Sequence, residues 1–184
     1  EAISEDRIIR GMVGRDLTHR FPPREAQIGE TIFEVSDWNV HHPLHEERMV
    51  CKNVNIFVRA GEVVGIAGLM GSGRTELAMS VFGRAYGRNV SGRAFIDGHE
   101  VDLSSIQKAV AAGLAYVTED RKNLGLILNE DIKSNITLAN LAGVAWHGVI
   151  DERREAEVAE RYRAKLSIRS SGILQKAVNL SGGN

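Results

Sequence analysis

The sequence predicts an α/β fold, and three features that follow one another support that prediction. Val63 to Ala67 is a short apolar run typical of a buried strand, and a glycine-rich loop over residues 68–75 comes directly after it. Thr75 to Phe82 then has the pattern of a helix that packs through one apolar side. A second apolar run, Leu114 to Thr118, gives a strand–helix–strand order that favours a parallel sheet with right-handed crossovers.

The composition fits a chain with a core of its own and excludes several classes of protein. The 184 residues are 43% hydrophobic, which is enough for one domain or for one domain with an attached lobe. A net charge of −1 gives no broad basic surface for nucleic acid. Cys51 is the single cysteine, so an internal disulfide is excluded. Apolar runs such as Ala109 to Val117 are far shorter than the ~20 residues that span a bilayer, so we expect any membrane role to come through a partner.

Alternating apolar residues predict two strands before the glycine-rich loop. Their apolar positions are Ile32, Phe33, Val35, Val54, Ile56 and Val58. The stretch between them contains His41, His42 and His45. Three histidines are compatible with a metal site, but no further ligands stand at a set spacing, so we expect a solvated loop.

Turn and cap residues predict the elements after the glycine-rich loop. Gly92 to Val101 has the pattern of a hairpin with Asp97-Gly98 at its turn. Ser104 is expected to cap a short helix, with Gln107 completing a capping box and Gly113 ending the helix. Further on, the periodicity predicts helices over Asp131 to Leu141 and Asp151 to Leu166.

Residues 68–75 match the phosphate-binding pattern GxxxxGK[ST], with arginine in place of the lysine. The candidate nucleotide-binding residues are Gly68, Leu69, Met70, Gly71, Ser72, Gly73, Arg74 and Thr75. Glycines let successive N–H groups point at phosphate oxygens, and the helix that follows directs its positive end at the charge. Thr75 would offer its hydroxyl to Mg²⁺. The alternative is a glycine-rich turn that serves only close packing.

The arginine at position 74 changes what this loop is expected to do. A guanidinium attracts phosphate and can bind it in a fork. It is longer and planar, however, and does not take the compact place of an ammonium group between the β- and γ-phosphates. We therefore expect Arg74 to preserve nucleotide binding and to weaken catalysis at this loop.

A second motif, Leu180-Ser181-Gly182-Gly183, stands near the end of the sequence and is followed by Asn184. By itself it could be a loop with a helix cap. Its position after a helical stretch, in a chain that also holds the phosphate-binding pattern, resembles the nucleotide-binding domain of ATP-binding cassette (ABC) transporters. The signature of that family is LSGGQ, so Asn184 stands where glutamine is usual.

The resemblance is closer to one branch, the tandem-domain ATPases of ribose, galactose, arabinose and xylose importers. The segments that carry it are Gly65–Leu69, Gly73–Leu77, Tyr116–Lys122 and Asn179–Asn184. Together they look like the second half of such a protein, and residues 1–20 resemble the end of the first half. Both ends of the chain look cut, with Ser4 a plausible cap of a helix over residues 1–14.

The resemblance implies a P-loop NTPase (ABC ATPase) core with an antiparallel β subdomain and a helical subdomain, incomplete at its C-terminus. Residues 1–30 would be the end of the first half and a linker, 31–124 the β subdomain and P-loop core, and 125–184 the helical subdomain. The Walker B carboxylates and the switch histidine should follow the signature. No catalytic residue is therefore assigned in this chain, which is expected to hydrolyse little by itself.

The resemblance also assigns roles outside the phosphate-binding loop. Glu119 stands where other members have the Q-loop glutamine, and a carboxylate there could reach a metal; a polar residue that merely ends a strand is the alternative. Trp38 is the candidate for stacking on adenine, although tryptophan is at least as often a packing anchor. Ser181, Gly182 and Gly183 would bind the γ-phosphate of a nucleotide held by a facing domain.

The implied activity is ATP binding and hydrolysis coupled to monosaccharide uptake, with ATP and Mg²⁺ as the bound groups. The implied partners are the other nucleotide-binding half, transmembrane permease subunits and, indirectly, a periplasmic sugar-binding protein, with no nucleic acid. The implied location is the cytoplasmic face of the inner membrane, as a peripheral subunit. Two alternatives remain: a regulatory module that binds nucleotide without hydrolysis, and a soluble ABC ATPase not attached to a permease.

Overall fold

The computed structural model describes Ile8 and residues 25–181, so the predicted helix over residues 1–14 lies outside the described residues. The chain divides into two compact units, one ending at Tyr116 and the other beginning at Val117. The sequence prediction had placed this division between residues 124 and 125. Among the described helices, none has both the length and the apolar character needed to cross a bilayer.

The first unit is built on a four-stranded antiparallel sheet in the order β2-β1-β3-β4. The strands are β1 (Thr31–His41), β2 (Met49–Arg59), β3 (Arg88–Ile96) and β4 (His99–Glu100). Strand β1 lies between β2 and β3, and Val35 faces Ile56 on one side and Ala94 on the other. The two strands that alternation predicted are therefore present and are longer than predicted.

The turn between β3 and β4 confirms the predicted hairpin. Asp97 (φ 49°) and Gly98 (φ 76°) both adopt the left-handed conformation, and Ile96 pairs with His99 across them. Two consecutive left-handed residues define the type I′ turn, which suits the twist of a two-residue hairpin. An Asp-Gly pair is among the sequences that reach this conformation at least cost.

The core of the first unit lies between the sheet and two helices, α1 (Arg74–Val81) and α2 (Ile106–Ala111). Its buried residues are Val35, Trp38, Val40, Cys51, Leu77, Ala94, Leu103 and Ala109. Helix α1 begins and ends within one residue of the predicted helix. A tryptophan in a core needs a partner for its indole N–H, and Ser80 provides it: the Trp38 N–H donates to Ser80 Oγ at 3.0 Å.

The cap of α2 lies one residue later than predicted. Ser105, and not Ser104, accepts a hydrogen bond from the N–H of Lys108. The reason is local, because Asp102 Oδ1 accepts from the N–H of Ser104 at 2.8 Å and holds Ser104 in a turn before the helix. Gly113, with φ 92°, follows the last turn as predicted.

The predicted parallel sheet is not found in the described part of the chain. Val63 to Ala67 and Leu114 to Thr118 belong to no strand, and Val63 is 77% exposed. A strand gains its hydrogen bonds from a neighbour, and the residues described here provide no parallel neighbour for either run. The two runs instead border an apolar hollow of about 250 Å³. Their apolar side chains are therefore only partly removed from solvent.

The second unit is helical with one small hairpin. It contains α3 (Ile132–Thr137), a 3₁₀ segment (Leu138–Val144), the hairpin strands β5 (Ala145–Trp146) and β6 (Val149–Ile150), and α4 (Glu152–Lys165). Helix α4 confirms the predicted second helix. Its N-cap, Asp151, accepts from the N–H groups of Arg153 and Arg154, both at 3.0 Å.

Helix α3 is shorter than the predicted Asp131 to Leu141 helix. Asp131, the first residue of the predicted helix, is its N-cap and accepts from the N–H of Ser134 at 2.7 Å. The α-helix nevertheless ends at Thr137, and Asn140 has non-helical angles of φ −147° and ψ 60°. Asn140 Oδ1 accepts from the N–H of Gly143 at 3.1 Å. Such local side-chain bonds compete with the helix and favour its end here.

We expect Ser80→Ala to destabilise the first unit. The substitution leaves the buried N–H of Trp38 without its acceptor, a loss of about 1–3 kcal/mol in the free energy of unfolding. Urea unfolding followed by tryptophan fluorescence measures this change. Ser91→Ala, on the exposed part of β3, is the matched control and should stay within about 0.5 kcal/mol of the native chain. Equal midpoints for the two variants would contradict the role given to Ser80.

Candidate functional site

The phosphate-binding pattern adopts a loop that ends at the N-terminus of α1. Gly71 (φ 79°) and Gly73 (φ 88°) are left-handed, and Ser72 between them is not. Alternation of left- and right-handed residues turns successive N–H groups toward one side, which forms a concavity for an anion. Gly73 is also the N-cap of α1, and its carbonyl accepts the N–H of Leu77 at 2.8 Å. The positive end of the helix therefore lies at the loop.

Two of the loop glycines stand where no side chain fits well. A Cβ on Gly68 would lie 2.4 Å from Ser72 Oγ, and a Cβ on Gly73 would lie 3.1 Å from the carbonyl oxygen of Val50. A Cβ on Gly71 or Gly65 would meet nothing within 4 Å. The Gly68 contact is with a hydroxyl that can rotate away, whereas Gly73 is required by its close approach to the β2 main chain together with its φ.

The two residues at the tip of the loop face solvent. Leu69 and Met70 are 86% and 98% exposed. The N–H of Ser72 donates to the carbonyl of Leu69 at 3.1 Å, which closes a turn within the loop. This amide is engaged inside the loop in the present conformation.

Arg74 folds back over the loop. Its guanidinium donates to the carbonyl of Leu69 at 3.3 Å, and its Cδ would lie 3.5 Å from a Cβ on Gly68. The cation is exposed and lies beside the concavity, where a phosphate would meet it. A charge-assisted bond to phosphate is stronger than one to a neutral carbonyl, so the Leu69 contact is one that a nucleotide can replace.

Thr75 is the second residue of α1 and is half-buried. A hydroxyl oxygen is a ligand that Mg²⁺ accepts. The described part of the chain holds no group of three or more histidine, cysteine or acidic side chains arranged for a metal. A Mg²⁺ ion held here would take the Thr75 hydroxyl together with phosphate oxygens and water, which is the usual way in which Mg²⁺ binds with nucleotides.

Cys51 supports the loop from behind, a role that the sequence did not reveal. Its thiol is buried and donates to the carbonyl of Gly73 at 3.9 Å. Burial raises the pKa of the Cys51 thiol, and the negative charge of Glu76 raises it further, so the thiol stays protonated and remains a donor. Strict alternation from Val54, Ile56 and Val58 would place Cys51 on the outward side of the sheet. The register shift around Asn53 (φ 51°) brings it inward instead, so alternation gave no signal for it.

Trp38 does not suit the predicted stacking on adenine. Its side chain is 2% exposed and its N–H is bonded to Ser80 in the core. A base needs an accessible ring face, and a buried indole offers none. The prediction that Trp38 binds nucleotide is wrong for this structure, and the packing alternative holds.

Glu119 lies in the second unit, exposed, at the start of a tight π turn over Arg121–Gly125. Asp120 caps this turn by accepting from the N–H of Asn123 at 3.1 Å and from its side-chain amide at 2.8 Å. These hydrogen bonds lower the pKa of the Asp120 carboxyl, so that it is ionised at neutral pH. The predicted role of Glu119 at a metal stays a prediction.

The signature motif lies at the edge of the described residues. Leu180 follows a 3₁₀ turn, Ala177–Asn179, and its N–H donates to the carbonyl of Ala177 at 3.1 Å. Ser181 is exposed. The other predicted signature residues, Gly182, Gly183 and Asn184, lie outside the described residues.

His41, the last residue of β1, and His42, which follows it, contact the local main chain through their side chains. His42 Nδ1 accepts from the N–H groups of Leu44 and His45, at 3.1 and 3.2 Å. His41 Nδ1 contacts the carbonyl oxygen of Glu46 at 2.5 Å. These nitrogens are engaged with the main chain of an exposed loop, in agreement with the predicted solvated loop.

Comparison with known proteins bears on the whole chain. The family model described as ABC transporter matches residues 51–184. A bacterial Atm1-family ABC exporter with ATP bound has a similar fold, with a TM-score of 0.56 and 24% sequence identity over 96% of this chain and 29% of that chain. The predicted ABC ATPase fold is thereby confirmed.

Sequence relatives are sugar-transport ATP-binding proteins. The chain is 55% identical, over its full length, to the L-arabinose transport ATP-binding protein AraG of Geobacillus stearothermophilus, of which it covers 36%. It is 39% identical to the xylose import ATP-binding protein XylG of Thermoanaerobacter pseudethanolicus, with 100% of the chain and 36% of the relative covered. It is 38% identical to the ribose import ATP-binding protein RbsA of Bacillus subtilis, with 97% and 34% covered.

The chain thus spans about a third of the length of these relatives. A shared length does not state which part of a longer protein is matched, so the assignment to the second of two halves stays a prediction. The family itself follows from a model that covers most of the chain and from relatives that match nearly all of it. This chain belongs to the ABC transporter family.

Proposed function

We propose that this chain is an ATP-binding segment of an ABC transporter that imports a monosaccharide. The observation that carries the proposal is the left-handed pair Gly71 and Gly73 at the N-terminus of α1, in a chain related to ATP-binding proteins of arabinose, xylose and ribose transport. The glycine conformation supplies a concavity for an anion, and the relatives supply the transported class of molecule.

Binding of nucleotide would use the loop, the helix end and Arg74 together. The loop amides and the positive end of α1 attract the phosphates, and the Arg74 guanidinium would leave the Leu69 carbonyl for a phosphate oxygen. Thr75 would hold Mg²⁺, which neutralises phosphate charge when bound. The sugar ring of the nucleotide and its base would be held elsewhere, since Trp38 is buried.

Arg74 favours an asymmetric arrangement of two sites. Its planar guanidinium replaces the ammonium that normally stabilises the transferred phosphate, so this loop would bind ATP and turn it over slowly or not at all. Ser181 and the two residues that follow would complete the site of the other nucleotide-binding half.

Closure over that ATP would move the helical unit and thereby the permease subunits, with a periplasmic sugar-binding protein delivering the sugar. The protein would act at the cytoplasmic face of the membrane.

The same arginine favours a second candidate function. A half that binds ATP and never hydrolyses it would be a regulatory module, whose nucleotide only stabilises the closed assembly. The two functions differ in whether Ser181 affects turnover elsewhere in the assembly, so one pair of variants separates them.

In the complete two-domain protein with its permease, we expect Ser181→Arg to abolish sugar-stimulated ATP hydrolysis. The substitution fills the space of the γ-phosphate and removes a hydroxyl donor, a loss of at least about 100-fold in kcat. Arg74→Ala should retain turnover within about threefold of native, because this loop contributes little to hydrolysis. Phosphate release measured in proteoliposomes, with and without sugar-loaded binding protein, checks both.

Equal and severe losses in the two variants would contradict the asymmetry. Native turnover in Ser181→Arg would contradict the importer mechanism and favour the regulatory module. Glu157→Gln, on the exposed side of α4, is the control for nonspecific damage to the second unit and should behave as native.

We also expect Gly73→Ala to weaken nucleotide binding. An alanine at φ 88° costs roughly 1–2 kcal/mol and would bring its Cβ to 3.1 Å from the Val50 oxygen, so the loop and the start of α1 must shift. The affinity for Mg·ATP at this site should fall about tenfold or more by calorimetric titration of the complete protein. Gly65→Ala, whose Cβ meets nothing within 4 Å, should bind as native. Equal affinities of the two variants would show that the concavity is not the phosphate site.

A further inference from the structure

A buried polar cluster joins α3 to α4 in the second unit. Lys133 Nζ bonds Glu155 Oε2, and Thr137 Oγ1 donates to Glu155 Oε1 at 2.8 Å. The side chain of Glu155 is 6% exposed and that of Lys133 is 19% exposed. Each carboxylate oxygen therefore has its own donor, which is the condition under which a charge can be buried.

This cluster differs from the other charge pairs of α4. Arg153 and Glu157 pair on the same helix, but their side chains are 90% and 66% exposed. An exposed pair contributes little, because solvent screens it. A buried pair often contributes no more to stability than apolar residues of the same volume would, and in some proteins it fixes one geometry. The hydrogen bond that Lys133 donates to the Glu155 carboxylate raises the pKa of Lys133, so its ammonium group stays charged over the neutral range.

The main chain of Lys133 is tied to a different part of the unit. Its N–H donates to the carbonyl of Ile173 at 2.9 Å, and the N–H of Ile132 donates to the carbonyl of Gln175 at 3.0 Å. The pairing continues along residues 128–130 and 177–178: the N–H of Ala177 donates to the carbonyl of Glu130, and the N–H of Val178 donates to that of Leu128, both at 2.9 Å. Residues 128–133 thus run beside residues 173–178.

The segment 173–178 leads directly to Ser181. The side chain of Gln175, within this segment, bonds to the main chain on both sides of it. Its Oε1 accepts from the N–H of Ser171 at 2.8 Å, and its Nε2 donates to the carbonyl of Asn179 at 3.4 Å. A displacement of residues 128–133 relative to α4 would therefore carry the approach to Ser181 with it. Lys133 thus bonds to α4 through its side chain and to the segment 173–178 through its main chain.

We propose that Lys133, Thr137 and Glu155 form a positioning cluster for the signature serine. The inference rests on the proposed function, in which Ser181 contacts the γ-phosphate of ATP held by the other half. The cluster itself does not touch nucleotide. It fixes the segment that precedes Ser181 against α4, so that the hydroxyl reaches its place when the two halves close. A displacement of about 1 Å at such a position can cost about 100-fold in rate.

The test is Lys133→Met in the complete two-domain protein with its permease. Methionine preserves length and apolar character but removes the charge and the bond to Glu155. We expect kcat for ATP hydrolysis to fall about 10- to 100-fold with KM for ATP within about twofold of native, because ATP is first bound by the other half's own loop. Exchange of the two charges, Lys133→Glu with Glu155→Lys, should restore at least about a third of native kcat.

Arg153→Met, which breaks the exposed pair on the same helix, is the matched control and should leave kcat unchanged. Thermal unfolding of each variant separates positioning from folding. A Lys133→Met protein that unfolds at lower temperature but keeps native kcat while folded would overturn the proposal. Should Lys133→Met fail to fold, kcat and thermal unfolding are measured for Glu155→Gln instead, and the same outcomes apply. Glutamine has the shape of glutamate without its charge.

The failure of this inference is distinguishable from failure of the proposed function. If Ser181→Arg abolishes hydrolysis and Lys133→Met equals native, the signature acts as proposed and the cluster has no positioning role. If Ser181→Arg itself equals native, the proposed function fails, and with it the reason for positioning Ser181.

Discussion

The contact between Gly73 and strand β2 is the constraint on which the site depends. Gly73 is left-handed, and its carbonyl accepts the N–H of Leu77, which is the first hydrogen bond of α1, and the Cys51 thiol. A Cβ on it would press on the Val50 oxygen. These contacts fix where α1 begins and in which direction its N-terminus points. Because an anion site at a helix end is only as well placed as the end itself, the antiparallel sheet determines the position of the phosphate-binding loop.

The positive charge of Arg74 is held less firmly than the glycine backbone beside it. Arg74 is exposed and bonds a carbonyl of the loop itself, whereas the glycine backbone is held by the core behind it. The left-handed glycines are thus held from behind, while an exposed arginine stands at the lysine position of the pattern. Under the proposed function, such a loop would bind an anion and would stabilise a transition state poorly, because the two tasks need different placement of the charge.

How far each feature could be predicted from the sequence depends on how far away its partner lies. Asp97-Gly98 specifies its turn by itself, and the caps Asp131 and Asp151 need only the next three residues. Ser104 was mistaken for a cap because Asp102, two residues earlier, takes its N–H. The position of the Trp38 side chain could not be predicted locally, because its hydrogen-bond partner, Ser80, lies 42 residues later in the chain. Motif spacing identified the phosphate-binding loop, but no spacing rule pointed to Cys51 or to Glu155.

In the described part of the chain, the loop takes its left-handed turns although the apolar run before it forms no strand. Val63 is 77% exposed and Ile66 is 50% exposed, and neither run pairs in the described part of the chain, yet Gly71 and Gly73 hold their left-handed conformations. The contacts described for the loop come from its other side, from α1 and from β2 behind it. An apolar run gains most of its stability from neighbours on both faces and both edges. A tight turn, by contrast, depends on its own φ angles and on local contacts, and those of the glycine-rich loop are present here.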